Sequence, residues 1–500
     1  MESRWLTRML IVLAIAKCAL LVAGFDRLPL ASNADEVLMA DQAATLAQGQ
    51  GLRAASFEGL AIGIMYAHHP PVYSYLLAIV FRIGGVNVYT LRALPILAYM
   101  AFHAVYYRIL WRLRERKWLT AGGFNLAFML LVSEPMGFVD ARFGRMSAMV
   151  PLFAALAFLC LLSRGPSGSG EQAGILSWKH ALGSAVFMGI TLSTYIGGAF
   201  AAVAWAITVA MLGWRRPWQV VVTVATPMIL FAAVWGLTYG SRSWEGIRQM
   251  RDIAKSMVQP GLGFSWLAAN VAAGHGFREF FQIGGFTLIS ALVLSCAILL
   301  ASVPIAFRRF IRREDVPCWP RHIWALFVPV CCWAVMLSLT GAGRGKLTAF
   351  VALVFVALAL AWSTYEGRAL RRIYILGMAG SLLGVAQIAG YSALGFMNWD
   401  RRSPDRFAAL VANIPPEATV AAVPPLWLTF HERGQKLRVV DMGFGPDRTY
   451  WETYPQRIAE FQYVILSAGH PLLDEPALVG RPLQKFDMMD FKIVVVGPRL

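Results

Sequence analysis

Two adjacent carboxylates, Asp35 and Glu36, follow the first apolar stretch of this 500-residue chain. A carboxylate in this position can accept a proton from an attacking hydroxyl group or hold a cation. The alternative is structural, because Asp is favoured at a helix N-cap and Glu in the first turn. Both interpretations predict an amphipathic segment that starts here and ends at Gly49. Asp41 lies on about the opposite face of that helix from Glu36, and we expect it to be solvated.

Two arginines further along, Arg142 and Arg145, have the chemistry to bind a phosphate group. Residues three apart share one face of a helix, so we expect the two guanidinium groups to lie together. Cations at a membrane boundary would stabilise negative charge on a departing phosphate. The alternative is that both side chains only extend toward the membrane surface. Asp140 can pair with either arginine or bind an acceptor, and we favour pairing.

His68 and His69 are the candidates for a divalent metal site. Imidazole together with nearby carboxylates suits zinc or manganese. Adjacent histidines before Pro70 and Pro71 are more often the start of a helix, so we predict no metal and keep the pair as weak candidates. The chain has no Walker, Rossmann or paired-cysteine motif, which argues against an ATP-driven pump or a redox enzyme.

The elements that must position these residues are membrane helices, as the composition of the chain indicates. The mean hydropathy is +0.56, with 58% hydrophobic and 15% charged residues, as in a polytopic membrane protein. The net charge of +17 could suggest a nucleic-acid partner. However, the Lys and Arg residues cluster in short loops between apolar stretches, which is the positive-inside pattern. We therefore predict no nucleic-acid partner.

The pattern predicts about eleven membrane spans, with the N-terminus inside and the C-terminal segment outside. The first is interpreted as a retained anchor rather than a signal peptide, so Asp35 and Glu36 emerge outside. Val72–Gly85 is apolar but short, and we interpret it as an interfacial helix. The predicted spans are Met9–Gly24, Val88–Trp111, Leu119–Val139, Met146–Leu162, Trp178–Tyr195, Gly198–Gly213, Pro217–Tyr239, Ile283–Phe307, His322–Thr340, Leu347–Thr364 and Ile373–Leu394.

Residues 397–500 form a second predicted domain, a small α/β domain outside the membrane, after a membrane domain of residues 1–396. Ser403, Pro404 and Asp405 are typical of a helix start. The six cysteines lie in apolar stretches or one basic loop, so no disulfide framework is predicted. The predicted strands are Ala418–Val423, Leu437–Val440, Tyr463–Leu466 and Lys492–Val496.

Several short motifs, in order along one predicted side of the membrane, resemble those of the GT-C membrane glycosyltransferases. The nearest members are bacterial relatives of protein O-mannosyltransferases and of the lipid A aminoarabinose transferase. This chain has Met146 and Ser147 where the family often has an acidic residue. The matching residues are Asp35, Glu36, Ala43, Leu46 and Gly49; His69, Pro70, Pro71, Tyr73, Tyr75, Phe81, Gly84 and Arg92; Ala141, Arg142 and Arg145; and Gly345, Lys346 and Leu347.

The resemblance implies an inverting transfer of a sugar from a polyprenyl-phosphate donor to a lipid, glycan or protein acceptor. It implies catalysis in the first external loop, about residues 25–87, with Asp35 as general base and Glu36 as a second catalytic residue. Arg142, Arg145 and Lys346 would bind the lipid phosphate, and Asp140 and His69 would contact substrate. For Lys346 and Arg344, contact with lipid headgroups is an equal alternative. The resemblance also implies the inner membrane of a bacterium, with the C-terminal domain periplasmic or extracellular.

Two other functions stay open. A secondary transporter for a lipid-linked glycan would need charges along a path through the spans and two similar halves. The ionisable residues gather instead at the external boundary, which favours surface chemistry. A family member that binds lipid without catalysis is the third possibility, because the acid after Arg145 is missing. The role of the C-terminal domain, in acceptor binding or as a cap, is not decided by its residues.

Overall fold

The helices of the membrane part agree closely with the predicted spans where the two can be compared. The computed structural model describes residues 4–27, 34–57, 70–162, 177–195, 197–213, 216–240, 368–397, 404–440, 458–467, 471–488 and 491–498. The predicted spans at 283–307, 322–340 and 347–364 lie outside these residues. The helices of the membrane part are α1 Arg4–Val22, α2 Ala34–Ala47, α3 Val72–Gly84, α4 Val88–Glu115, α5 Ala121–Val132, α6 Met136–Arg142, α7 Val150–Leu162, α8 Trp178–Thr194, α9 Gly198–Gly213, α10 Pro217–Tyr239 and α11 Arg368–Met397.

Local signals account for several helix boundaries. Gly85, with φ +76°, ends α3 in a conformation that favours glycine. Asn87 caps the start of α4 with a capping box. Its side-chain oxygen accepts from the backbone N–H of Thr90, and the hydroxyl oxygen of Thr90 accepts from the backbone N–H of Asn87. The α3 helix has only 13 residues, too few to cross a bilayer. The prediction of a short helix here is confirmed.

The predicted span Leu119–Val139 is wrong in one respect, because the structure divides this stretch into α5 and α6. Thr120 caps the start of α5, and Ser133 ends it. Glu134 then accepts hydrogen bonds from the backbone N–H groups of Met136 and Gly137. These are donors that the first turn of α6 would otherwise leave unpaired. Pro135 follows Glu134 and lacks an N–H of its own, which further favours a break there.

Four helical stretches in the described part are long and apolar enough to cross a membrane. They are Trp5–Val22, Val88–Glu115, the two-part stretch Ala121–Arg142, and Pro217–Tyr239. Large apolar side chains such as Leu237 and Ile229 on α10 are exposed, as expected of a surface that faces lipid. The chain is an integral membrane protein. The number of spans and their orientation stay predictions.

The C-terminal part contains a five-stranded mixed sheet in the order β2-β1-β3-β5-β4. Strand β1 is parallel to both β2 and β3, and β5 is antiparallel to β3 and β4. Strand β4, whose residues 483–485 are exposed, was not predicted. The elements are α12 Pro404–Val411, β1 Val420–Ala422, α13 Trp427–Glu432, β2 Leu437–Val439, β3 Tyr463–Ser467, β4 Leu483–Met488 and β5 Phe491–Val496.

One apolar cluster joins this sheet to the membrane part. It includes Val37 and Ala40 of α2, Phe81 of α3, Phe407 of α12 and Trp427 of α13. Helix α2 is therefore buried on every face from residue 36 to residue 45. The predicted amphipathic helix is wrong for this reason, because the C-terminal part covers the side expected to face water.

Candidate active site

Glu36, the second of the two adjacent carboxylates, forms a buried ion pair with Arg92. Its Oε1 accepts from Nε of Arg92 at 3.2 Å, and both side chains are 0% exposed. Arg92 lies in the first two turns of α4 and also donates from Nη1 to the carbonyl oxygen of Phe25 at 2.5 Å. This arginine therefore connects α2 to α4, and connects both helices to Phe25, three residues after the end of α1. A pair removed from water in this way holds its geometry firmly, because separating the charges inside the protein is costly.

Gly144 packs against this ion pair. Its φ of +67° requires glycine, and a β-carbon there would lie 2.7 Å from Oε1 of Glu36. Tyr73 of α3 donates its hydroxyl to the carbonyl oxygen of Gly144 at 2.6 Å. The segment Ala141–Arg145 thus packs directly on the Glu36–Arg92 pair.

Arg142 and Arg145 lie on either side of this turn. Arg142 is the last residue of α6, and Arg145 follows in extended backbone. The prediction that both share one helical face is wrong, because Gly144 ends the helix between them, as a glycine after a helix C-terminus commonly does. The signal was present in the sequence as the glycine two residues after Arg142.

The two guanidinium groups are only partly engaged. Arg142 is buried, donates from Nη2 to the carbonyl oxygen of Ala23 at 2.9 Å, and lies over the ring of Phe138. Arg145 is 21% exposed, and its Nη1 is 3.9 Å from Oδ1 of Asp140. Within the described residues, Nε of each arginine is buried and has no hydrogen-bond partner. Buried guanidinium donors without a partner are suited to an anion.

Asp140, two residues before Arg142, is fully buried. Besides its long contact with Arg145, it accepts from the hydroxyl of Ser147 at 2.9 Å through Oδ2. The expected pairing of Asp140 with an arginine is thus present with Arg145. Ser147, one of the two residues that stand where the family often has an acid, supplies a neutral donor to Asp140 instead.

The remaining predicted residues are placed as follows. Asp35 lies in the first turn of α2, next to Glu36. His68, His69, Arg344 and Lys346 lie outside the described residues. Among residues 4–27, 34–57 and the other described ranges, no three His, Cys, Asp or Glu side chains come together as a metal site would require.

Asp41 contradicts the expectation that it is solvated, since it is only 4% exposed. Its Oδ2 accepts from the backbone N–H of Ser56 at 2.8 Å. Its Oδ1 accepts from the Ser56 hydroxyl at 2.7 Å and from Nε1 of Trp427 at 2.9 Å. Burial raises the pKa of Asp41, while Ser56, Trp427 and the nearby Arg438 act in the opposite direction. The C-terminal part covers this face of α2, which helical spacing within α2 could not indicate.

A second buried polar group lies between α1, α4 and the break before α6. Nζ of Lys17 donates to the Tyr99 hydroxyl at 3.0 Å and to the carbonyl oxygens of Leu131 and Glu134 at 3.0 Å and 2.6 Å. The Tyr99 hydroxyl donates to Oε2 of Glu134 at 3.0 Å. All three ammonium donors of Lys17 are therefore used. Lysine inside an apolar stretch is the signal that could have identified this group.

Solved structures with a similar fold align with nearly the full length of this chain. ArnT from Cupriavidus metallidurans in the apo state superposes with a TM-score of 0.58 at 13% identity, covering 99% of each chain. The same protein bound to undecaprenyl phosphate gives a TM-score of 0.55 at 13% identity, over 99% of this chain and 100% of that one. This chain has the GT-C fold.

A third GT-C structure shows a more distant likeness. The archaeal oligosaccharyltransferase AglB from Archaeoglobus fulgidus, in complex with an inhibitory peptide and a dolichol-phosphate, gives a TM-score of 0.50 at 12% identity. This chain covers 70% of its length, with 93% of this chain aligned. Neither a protein-family model nor a curated protein matches the sequence. The likeness therefore lies in the GT-C fold rather than in overall sequence.

Proposed function

We propose that this protein is a membrane glycosyltransferase. It transfers a sugar from a polyprenyl-phosphate donor to a lipid, glycan or protein acceptor on the extracytoplasmic face, with inversion at the anomeric carbon. The GT-C fold supports this class of enzyme, and ArnT of that fold has been solved with undecaprenyl phosphate bound.

One observation carries the proposal. Three segments that resemble the GT-C motifs, far apart in the sequence, meet at one place: Glu36 on α2, Tyr73 and Arg92 on α3 and α4, and the turn at Gly144. Helical membrane proteins have no general need to bury a carboxylate, an arginine and a glycine of left-handed conformation together at a helix end. A site that must hold a catalytic group and a phosphate in fixed relative positions does have that need.

The chemistry assigned to the site is a single displacement. The acceptor oxygen attacks the anomeric carbon, its proton passes to a carboxylate, and the polyprenyl phosphate departs with the electrons of the broken carbon–oxygen bond. The leaving phosphate gains negative charge as this bond breaks. Arg142 and Arg145, with unpartnered Nε donors in the described part of the chain, would stabilise that charge. Lys346 stays a proposed third cation.

We assign the role of base to Asp35 and a positioning role to Glu36. Glu36 is 1% exposed and paired with Arg92, so an acceptor hydroxyl has no access to its oxygens. The Glu36–Arg92 pair instead fixes the start of α2, where Asp35 lies. Asp140 is engaged by Ser147 and Arg145, which supports a role in orienting Arg145 rather than in accepting a proton.

A transporter is the less supported alternative. Lys17 and Glu134 are the kind of buried ionisable residues that line a transport path. However, the ammonium of Lys17 is saturated by Tyr99 and by two carbonyl oxygens at the α5–α6 break. This arrangement supports a helix junction rather than a group that binds and releases a substrate ion.

The experiment compares Asp35→Asn with the wild-type protein, purified and supplied with a labelled pool of polyprenyl-phosphate sugars and native membrane extract as acceptor. We expect the rate of transfer to fall roughly 100- to 10,000-fold, the usual contribution of a general base. Asp26→Asn is the matched control, because Asp26 is a half-buried carboxylate nine residues before Asp35 that accepts from the Tyr89 hydroxyl at 3.0 Å.

The outcomes separate the assignments. Transfer by the wild type and the Asp26 variant, with loss in the Asp35 variant and unchanged binding of polyprenyl phosphate, supports the proposal. Wild-type rates in Asp35→Asn would refute Asp35 as the base. Binding of the lipid without transfer by the wild-type protein, across the whole donor pool, would refute the transferase and favour a binding protein.

A further inference from the structure

The C-terminal part of the chain contacts helix α2 through a buried polar contact as well as through apolar packing. Nε1 of Trp427, at the start of α13, donates to Oδ1 of Asp41 at 2.9 Å and approaches the Ser56 hydroxyl at 3.2 Å. Trp427 is 1% exposed and Asp41 is 4% exposed. Water therefore does not compete for this hydrogen bond, and loss of either partner would leave a buried polar atom unpaired.

A second element of the C-terminal part holds the same region. Arg438 of strand β2 donates to the carbonyl oxygen of Ala55, in the short 3₁₀ helix Ala55–Phe57. Ser56, in the centre of that helix, donates both its backbone N–H and its hydroxyl to Asp41. Two separate elements of the C-terminal part, α13 and β2, thus contact α2 and the loop that follows it.

Asp41 lies near the middle of helix α2, which has the candidate base Asp35 in its first turn. Asp35 and Asp41 are six residues apart, so about 9 Å of rigid helix separates them at 1.5 Å per residue. A displacement at Asp41 is therefore transmitted to Asp35 along the helix axis. Glu36, one residue after Asp35, is paired with Arg92, so α2 is held near its start as well as at its middle.

We propose that Trp427 and Asp41 form a positioning contact through which the C-terminal domain holds helix α2, and with it Asp35, in place for sugar transfer. This inference rests on the proposed function, and it gives the C-terminal domain a role that its own sequence does not indicate. Neither residue touches the substrate. Their effect on the reaction passes through the helix.

The variants are Trp427→Phe, which keeps an aromatic ring in the apolar cluster but removes the donor, and Asp41→Asn, which removes the charge. Trp218→Phe is the control, because Trp218 is 73% exposed on α10. Hydrogen–deuterium exchange of residues 34–57 reports on the seating of α2 without any need for activity. Transfer kinetics with the labelled donor pool report on kcat and KM.

We expect faster exchange in residues 34–57 of both variants, and a kcat roughly 10- to 100-fold lower, as about 1 Å of misplacement can cause. The KM for the donor should change little, because Arg142 and Arg145 lie on other elements. The losses in the double variant should be less than the sum of the two single losses, because the two side chains share one hydrogen bond. Trp218→Phe should match the wild type in exchange and in kcat.

Three results would overturn the inference or part of it. Wild-type exchange in Trp427→Phe and Asp41→Asn would refute the docking contact. Faster exchange with an unchanged kcat would refute the positioning role. Additive losses in the double variant would show two independent structural effects rather than one contact. If the wild-type protein transfers no sugar, the proposed function fails, while the exchange result alone still decides whether Trp427 and Asp41 seat α2.

Discussion

Gly144 shows how a single backbone position shapes the candidate site. Its φ of +67° and the 2.7 Å distance from a built β-carbon to Oε1 of Glu36 allow no side chain without movement of the ion pair. Gly51 has a similar φ of +83°, yet nothing lies within 4 Å of its built β-carbon. A side chain at Gly51 would therefore meet only the cost of the left-handed backbone, whereas a side chain at Gly144 would also clash with Glu36.

We predict that Gly144→Ala destabilises the protein more than Gly51→Ala does. The left-handed backbone alone costs an alanine about 1–2 kcal/mol, and this should be the whole effect at Gly51. At Gly144 the methyl group must also displace Glu36 from Arg92, so the loss should be larger and should include sugar transfer. Thermal unfolding of the two variants in detergent is the measurement. Equal changes in Tm would contradict the tight contact with Glu36.

At the scale of elements, the break between α5 and α6 sets where Arg142 and Asp140 lie. The break is held by Lys17 of α1, Tyr99 of α4 and Glu134, whose carboxylate accepts from the first backbone N–H groups of α6. Gly137 lies so close to Tyr99 that a β-carbon there would clash with the ring. The start of α6 therefore packs closely against the ring of Tyr99.

We predict that Tyr99→Phe lowers the free energy of unfolding by about 1–3 kcal/mol, the usual effect of leaving buried polar groups unpaired. The lost hydroxyl both accepts from Lys17 and donates to Glu134. Tyr107→Phe is the control, because it keeps the ring contacts of Tyr107 with Phe124 and Phe128. Chemical denaturation of both variants in the same detergent tests the difference. A Tyr99 variant as stable as the Tyr107 variant would mean that the hydroxyl does not bridge the two charges.

At the scale of the whole molecule, the membrane part and the sheet domain share one apolar cluster with Asp41 buried at its polar edge. Burial raises the pKa of Asp41 above the value of 3.8 expected in the unfolded chain. At pH values between 3.8 and the raised pKa of the folded state, the Asp41 carboxyl binds its proton more tightly in the folded protein than in the unfolded chain. The contribution of Asp41 to stability therefore falls as the pH rises through this window and is lowest above it.

We predict that Asp41→Asn removes this pH dependence. The Tm of the wild-type protein should rise relative to that of Asp41→Asn as the pH is lowered from 7 toward 4, because protonation relieves the cost of the buried charge. Other carboxylates change both proteins alike, so the difference between the two Tm curves isolates Asp41. Parallel curves over this range would show that Asp41 titrates as it does in the unfolded chain.

The bounds of several helices, the fold class and four of the five strands could be predicted from the sequence alone. Apolar lengths and basic loops predicted α9 and α10 with the bounds that the structure has, because a membrane helix depends on length and hydropathy more than on its neighbours. The motif order predicted the GT-C fold, since the motifs keep their positions relative to the spans. The strands β1, β2, β3 and β5 followed from short β-branched stretches between turn residues.

Only the tertiary structure decided what each charged residue contacts. Asp41 was expected to be solvated on the helix face opposite Glu36, but both carboxylates are buried. Arg92 pairs with Glu36, and Trp427, 386 residues from Asp41 along the chain, donates to Asp41. Arg142 and Arg145 looked like neighbours on a helix, but Gly144 places a turn between them. Helical periodicity describes one element alone, whereas the burial and pairing of a charge depend on the elements that pack around it.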